Sequence, residues 1–255
     1  PQNEGENTLH GGIKGFNKKV WTALMMNDQT LVLNYTSSYG EEGFTGEVKV
    51  TVIYTLTEEN ELSIEYLATT NKKTIINFTS HGYFSLPGIA NPTPTIEPQV
   101  LEMNADFYLP CDSGCLPTGE ILKVEGTPFD FRTAKPIGQD IDADNEQLRN
   151  GNGYDHCFVL NKREEGELSF AARLTDPQSH RTMEVYTTEP GCQLYTDNWL
   201  KEITGPEGAT YPRRSAVCLE TQHFPDSPNK NYFPSVILRP GEQYKQKTVY
   251  KFGVC

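Results

Sequence analysis

At 255 residues the chain is long enough to bury a sizeable core as one large domain, without disulfide staples. Its 22 basic side chains against 34 acidic ones give a net charge of -12, which excludes recognition of nucleic-acid phosphates, a task for clustered Lys and Arg. No apolar stretch approaches the ~20 residues of a membrane helix, so neither nucleic acid nor membrane is expected as a partner.

Taken in chain order, the N-terminal Pro1–Asn7 is polar and has neither the basic nor the apolar region of a signal peptide. Short β-rich runs follow at 20–26 and 30–36. Val48–Leu56 is the clearest strand, rich in branched and aromatic residues, and 61–68 alternates polar with apolar as a half-buried strand should. Between them Thr57-Glu58-Glu59-Asn60 reads as a hairpin connection. Residues 74–79 predict another strand. Residues 85–98, with Pro87, Pro92, Pro94 and Pro98, predict a long surface loop inside the domain. Further strands are expected at 98–109, 156–161, 166–174, 182–188, 192–196, 215–220 and 244–252. No segment sustains helical periodicity over three turns, and 17 prolines with 21 glycines suit many turns between strands. Regular strand spacing with hairpins implies one all-β domain over residues 1–255, its antiparallel sheets packed as a sandwich or barrel.

Several chemistries have no motif here. G-x-S-x-G, H-E-x-x-H and the P-loop are absent, and Gly151-Asn152-Gly153 is followed at the sixth position by His156 rather than Gly. The five histidines form no i, i+2 or i, i+4 ligand pair. Cys111 and Cys115 lie four apart with no nearby His, so no metal is expected. The six scattered cysteines read as reduced thiols of a cytoplasmic protein.

Ionisable groups stand amid turn-forming or β-rich sequence in Leu9-His10-Gly11-Gly12, in Thr79-Ser80-His81-Gly82-Tyr83-Phe84, in Gly153-Tyr154-Asp155-His156 and in Cys218-Leu219-Glu220-Thr221-Gln222. The segment 187–196 adds Gln193 and Tyr195. Each has an ordinary explanation by itself. A His beside Gly is a hydrogen-bonded turn residue, Glu220 is the solvent-facing member of an alternating strand, and Asp155 is a turn residue.

Together and in this order they resemble the galactose mutarotase (aldose 1-epimerase) family. The resemblance runs from residue 7 to the C-terminus. It also takes in Asn7-Thr8 before His10, Gly15-Phe16 with Trp21, Glu41–Gly46, Leu116–Glu120, Met183–Gly191 and Leu238–Glu242. It implies a large antiparallel β-sandwich with an open sugar-binding cleft, in accord with the strand pattern. It implies an enzyme that interconverts the α and β anomers of a small aldose such as galactose or glucose, with no cofactor. His81 falls on the general acid that protonates the ring oxygen, and Glu220 on the general base that deprotonates the anomeric hydroxyl. His10 falls on a second active-site histidine, Asp155 on a carboxylate that holds ring hydroxyls, and Gln193 on a further substrate contact.

The residue types suit the chemistry. Opening a hemiacetal moves one proton off the anomeric oxygen and another onto the ring oxygen. A histidine of reference pKa ~6.5 and a glutamate of ~4.3 span the two jobs. Tyr83, Phe84 and Tyr195 either line the apolar face of the sugar or pack in the core.

This chain departs from the family pattern in three places. Members carry strands and an active-site arginine ahead of the His-Gly-Gly motif, and this sequence starts just before it. An N-terminal portion beyond the given sequence is therefore expected, as are sheet edges and apolar surface left open without it. Ser80 and Gly82 replace the usual Asn and Ser around His81. Cys157 follows His156 where Asn is more usual. The alternative reading is a non-catalytic sugar-binding relative. An epimerase of a hexose 6-phosphate would need a basic cluster, and Arg213-Arg214, the basic pair near Glu220, reads as a solvated loop.

Overall fold

The computed structural model describes residues 1–88, 95–205, 208 and 210–255. Its strands are β1 (Thr22–Asn27), β2 (Thr30–Ser37), β3 (Val48–Leu56), β4 (Glu61–Thr70), β5 (Thr74–Ile75), β6 (Val100–Met103), β7 (Ala105–Tyr108), β8 (Leu122–Lys123) and β9 (Lys135–Pro136). They continue with β10 (Asp155–Leu160), β11 (Ser169–Thr175), β12 (Arg181–Thr187), β13 (Gly191–Tyr195), β14 (Ile203–Thr204), β15 (Thr210–Tyr211), β16 (Cys218–Gln222), β17 (Ile237–Leu238) and β18 (Tyr244–Val254). One six-residue helix, α1 (Glu146–Gly151), is capped at its start by the Asn145 side chain and stopped by Asn152 in the left-handed region. Among the described residues no helix is long and apolar enough to cross a membrane.

The all-β expectation holds. A nine-stranded antiparallel sheet runs β1-β2-β3-β4-β18-β12-β11-β6-β9, and a five-stranded sheet runs β16-β13-β10-β7-β8. Alternation builds the interior between them. Val48, Val50 and Val52 of β3, Ile64, Tyr66 and Ala68 of β4, Met183 and Val185 of β12, and Tyr250 of β18 are buried in one cluster with Phe158, Leu194 and Leu219. Each such aliphatic side chain contributes roughly 1.5–3 kcal/mol by leaving water. Polar bridges fix the sheets to each other as well. Tyr250 Oη donates to Leu219 O at 3.0 Å, and Gln246 Nε2 donates to Thr221 O at 2.9 Å. These tie β18 to β16, the strand that carries Glu220.

The expected hairpin at 57–60 joins β3 to β4, with Asn60 at positive φ. Three expectations need correction. The run 98–109 is two strands in different sheets: β6 pairs with β11, while β7 pairs with β10. Asn104 makes the crossing, and its Nδ2 donates to Phe170 O at 3.2 Å. The run 74–79 is a strand only over Thr74–Ile75. In 85–98, Pro92 and Pro94 lie outside the described residues, and the flanks are not surface, because Leu86 and Ile96 belong to the core. At the other extreme β1 is exposed along its whole length, with Leu24, Met25 and Met26 open to solvent. β1 is thus an edge strand of the nine-stranded sheet with exposed apolar side chains.

Candidate active site

Parity sets the site. In β10, β13 and β16 the cross-strand partners are Asp155 with Tyr195 and Tyr195 with Cys218, then Cys157 with Gln193 and Gln193 with Glu220. Successive residues of a strand point to opposite faces, so Asp155, Tyr195, Cys218, Gln193 and Glu220 share one face. The intervening His156, Leu194 and Leu219 point to the core.

His81 reaches this face by a further step of register. An isolated antiparallel bridge pairs Phe84 with Val217 through two hydrogen bonds of 2.9 Å. Three residues back from Phe84 and three forward from Val217 lie His81 and Glu220. Their side chains meet accordingly, His81 Nε2 standing 3.5 Å from Glu220 Oε1. Phe84 anchors the segment by packing, partly buried, on Tyr250 and Phe252 of the core side. Tyr83 stacks on the His81 ring at 4.9 Å, and Tyr195 meets it edge-on at 5.8 Å.

His10 completes the cluster by its ring, 5.4 Å from that of His81 in a T-shaped contact. Its backbone is in the left-handed region, as are Gly11 and Gly12. Side chains would obstruct this turn. A Cβ on Gly12 would sit 2.5 Å from Glu42 Oε2, and one on Gly15 would sit 2.2 Å from His10 O. The glycines of the motif are thus what lets the chain fold tightly enough to present His10.

The electrostatics follow from burial. Glu220, expected to face solvent if it were an ordinary strand residue, is 6 % exposed. Burial, and behind it the charge of Asp155, push its carboxyl up to about 8. Burial also raises Asp155 to about 6, against the stabilising amide of Gln193, whose Nε2 donates to Asp155 Oδ1 at 2.8 Å. The His81 imidazole is held below its ordinary value by burial and then by the neighbouring His10. His81 Nδ1 and Gln193 Oε1 are buried with no hydrogen-bond partner among the described residues. Orphaned buried polar atoms are costly unless a ligand completes them.

All five predicted site residues therefore converge on one face. Asp197 and Trp199, just past Tyr195, carry no pattern that singles them out in the sequence. Asp197 is buried at positive φ and its Oδ2 accepts from Ser215 N and Oγ. Trp199 is exposed, and its backbone N–H donates to Tyr195 Oη at 3.1 Å. Of the pair Arg213-Arg214, Arg213 is exposed in a turn as expected, but Arg214 is not solvated. The buried Arg214 guanidinium pairs with Asp142 and Glu97, and Arg213 donates to Asn198 O and Asn152 O. The Arg214 charge is already matched by these two carboxylates. The surface hollow lined by Glu102, Arg173 and Glu184 lies elsewhere, and its charges pair with one another.

Known proteins resemble the chain along nearly its whole length. The aldose 1-epimerase family profile matches residues 1–251. The chain is 43 % identical over 254 residues to galactose mutarotase of Bos taurus, covering 99 % of this chain and 71 % of that protein. It is 38 % identical over 251 residues to aldose 1-epimerase of Escherichia coli (strain K12), covering 98 % and 71 %. Among solved structures, the GalM/aldose epimerase homologue from C. elegans superposes with a TM-score of 0.88 at 30 % identity, over 99 % of this chain and 74 % of that one. Galactose 1-epimerase from Lactobacillus acidophilus NCFM gives 0.85 at 30 %, over 100 % and 72 %.

Proposed function

The chain belongs to the aldose 1-epimerase family and interconverts sugar anomers, and from that premise we propose that His81 and Glu220 are its acid–base pair, with galactose and glucose as substrates. The observation that carries the assignment is the approach of His81 Nε2 to Glu220 Oε1 at 3.5 Å on a face that holds unsatisfied polar atoms. The ring oxygen and the anomeric hydroxyl are both bonded to C1, so a donor for one and an acceptor for the other have to be neighbours.

In the forward step Glu220 takes the proton of the anomeric hydroxyl, C1=O forms, the C1–ring-oxygen bond breaks, and that oxygen takes the proton of His81. Rotation about C1–C2 turns the other carbonyl face to the same hydroxyl. Reclosure returns one proton to His81 and draws the other from Glu220, giving the opposite anomer. The pair carries one proton throughout. With a closed sugar it is protonated His81 beside ionised Glu220; with the open chain it is neutral His81 beside protonated Glu220. Burial favours the second distribution in the free protein, since it lowers the imidazole and raises the carboxyl. The resting site is thus already charged as the open-chain stage requires. Asp155 and Gln193, locked together by their hydrogen bond, hold ring hydroxyls, with Gln193 Oε1 free to accept one. His10 hydrogen-bonds at the reacting end. Six free thiols support a cytoplasmic setting.

Polarimetry on freshly dissolved α-D-galactose and α-D-glucose tests the reading. Approach to equilibrium rotation should be faster than in buffer and proportional to protein added. Sugar binding without acceleration would instead establish the non-catalytic alternative, which nothing in the site favours.

A further inference from the structure

We propose that Cys218, His81 and Glu220 form a binding site for a soft divalent cation of the zinc or cadmium class, and that the bound ion switches the acid–base pair off. The regulatory half rests on the catalytic roles assigned to His81 and Glu220; the binding half does not.

Cys218 has no part in the proposed catalytic chemistry, yet parity puts it on the same face as Glu220, two residues earlier on β16. Among the described residues these three side chains form the one group of His, Cys and carboxylate donors close enough to share an ion. Their ligand atoms all lie within 4.8 Å of one another. The His81–Glu220 separation of 3.5 Å already matches an edge of a tetrahedron built from bonds of about 2.0–2.3 Å. The remaining closure is under about 1.5 Å, and the mobile partner is evident. Cys218 and Glu220 are fixed on a strand, while His81 lies in the irregular stretch between Ile75 and the Phe84 bridge.

The donor set is one nitrogen, one sulfur and one oxygen, which suits zinc and cadmium and disfavours magnesium or calcium. Charge balance agrees. The face carries two carboxylates, half-buried Asp155 and buried Glu220, with no cationic side chain hydrogen-bonded or ion-paired to either among the described residues except the titratable His81. A dication held by one thiolate and one carboxylate is neutral as a unit. On binding, the Cys218 thiol and the His81–Glu220 pair each release one proton to solvent, the His81 Nε2 lone pair goes to the metal and Glu220 binds as the carboxylate. That nitrogen then carries no proton for the ring oxygen, and Glu220 has no free lone pair aimed at the anomeric hydroxyl. The fourth position stays open to water or a sugar oxygen.

Titration of the full chain with Cd2+, read by the ultraviolet charge-transfer band of a cadmium–thiolate bond, tests binding; polarimetric turnover under Zn2+ tests regulation. The expected result is a band that saturates near one equivalent, loss of turnover over the same range of ion, and recovery of turnover with a chelator. Cys218→Ser and Cys218→Ala should keep the metal-free turnover and need at least about tenfold more ion for both effects. His81→Ala should weaken the band even where a Cys218 variant fails to fold. A band and an inhibition that persist unchanged in the Cys218 variants overturn the proposal, as does full turnover at saturating ion. Absence of metal-free turnover with a Cys218- and His81-dependent band would retain the cation site and remove the acid–base reading instead.

Discussion

Asp155 and His156 are consecutive in the chain, both ionisable and both on β10, yet they sit on opposite faces of the five-stranded sheet and are treated in opposite ways. On the core side His156 is 1 % exposed and fully partnered. The backbone N–H of Asp155 donates to its Nδ1 at 3.1 Å, which makes Nδ1 the bare nitrogen. The proton is therefore on Nε2, 3.2 Å from Gln147 Oε1, and Gln147 is in turn pinned to both backbone groups of Cys111. Phe129 packs edge-on at 4.7 Å. Burial lowers this imidazole to about 3, so it stays neutral and fixed in one tautomer. On the cleft side His81 has one loose partner at 3.5 Å and an orphaned Nδ1. Two histidines of one protein thus show what separates a structural ring from a chemical one. Completed hydrogen bonds lock a proton in place, and incomplete ones leave it free to move.

The largest effects should come from the cleft side. Glu220→Gln and His81→Ala should each lower turnover at least about a hundredfold with the fold intact by circular dichroism, the scale of a positioned base or acid. Retention of full activity in either would break the contrast between the faces. The pH dependence of kcat/KM sharpens it. The working pair holds one proton, so a second proton on His81, below its ordinary 6.5, removes the ionisation that catalysis needs. Protonation of Asp155, at about 6, weakens hydroxyl binding on the same limb. Loss of the shared proton as pH rises through about 8 removes the acid. The profile should be a bell with its alkaline limb near 8, about tenfold per pH unit beyond either limb, and its apparent values belong to the pair. A profile flat from pH 5 to 10 would refute the assignment.

How much of this was legible depended on element length. β3 and β4 could be read because nine or ten residues display an alternation, and Val48, Val50 and Val52 do so plainly. β8, β9, β14, β15 and β17 have two residues each, too few to alternate, and α1 has too few turns to show a period. The change of sheet at Asn104 was hidden because Leu101, Met103 and Ala105 keep one parity across it. For the site, the residue types and their order carried the resemblance, and all five positions converge. The burial of Glu220 was not legible, since its flanking Leu219 and Thr221 look like half of an ordinary amphipathic strand. Burial comes from His81 and the 76–84 segment laid over β16, a contact between residues far apart in the chain. Arg214 misled for the same reason, because its partners Glu97 and Asp142 are remote in sequence.

The core side offers the smaller and more discriminating test. His156→Leu keeps the volume roughly but strands the Asp155 N–H and removes a donor from Gln147 Oε1. At pH 8 it should cost about 1–3 kcal/mol of stability, the penalty for an unmade buried hydrogen bond, while turnover stays within about threefold. The sign with pH is fixed. His156 is depressed from 6.5 to about 3 in the folded chain, so between those values the unfolded chain binds the extra proton. The wild type therefore loses stability through this group as pH falls below 6.5, by about 1.4 kcal/mol per unit, and regains it as pH rises. His156→Leu has no such proton to lose. The gap in unfolding free energy between the two should be full at pH 8 and should narrow, then close, near pH 5. A gap that stays constant over that range would mean His156 is charged in its box, and the locked tautomer on the core side would fall with it.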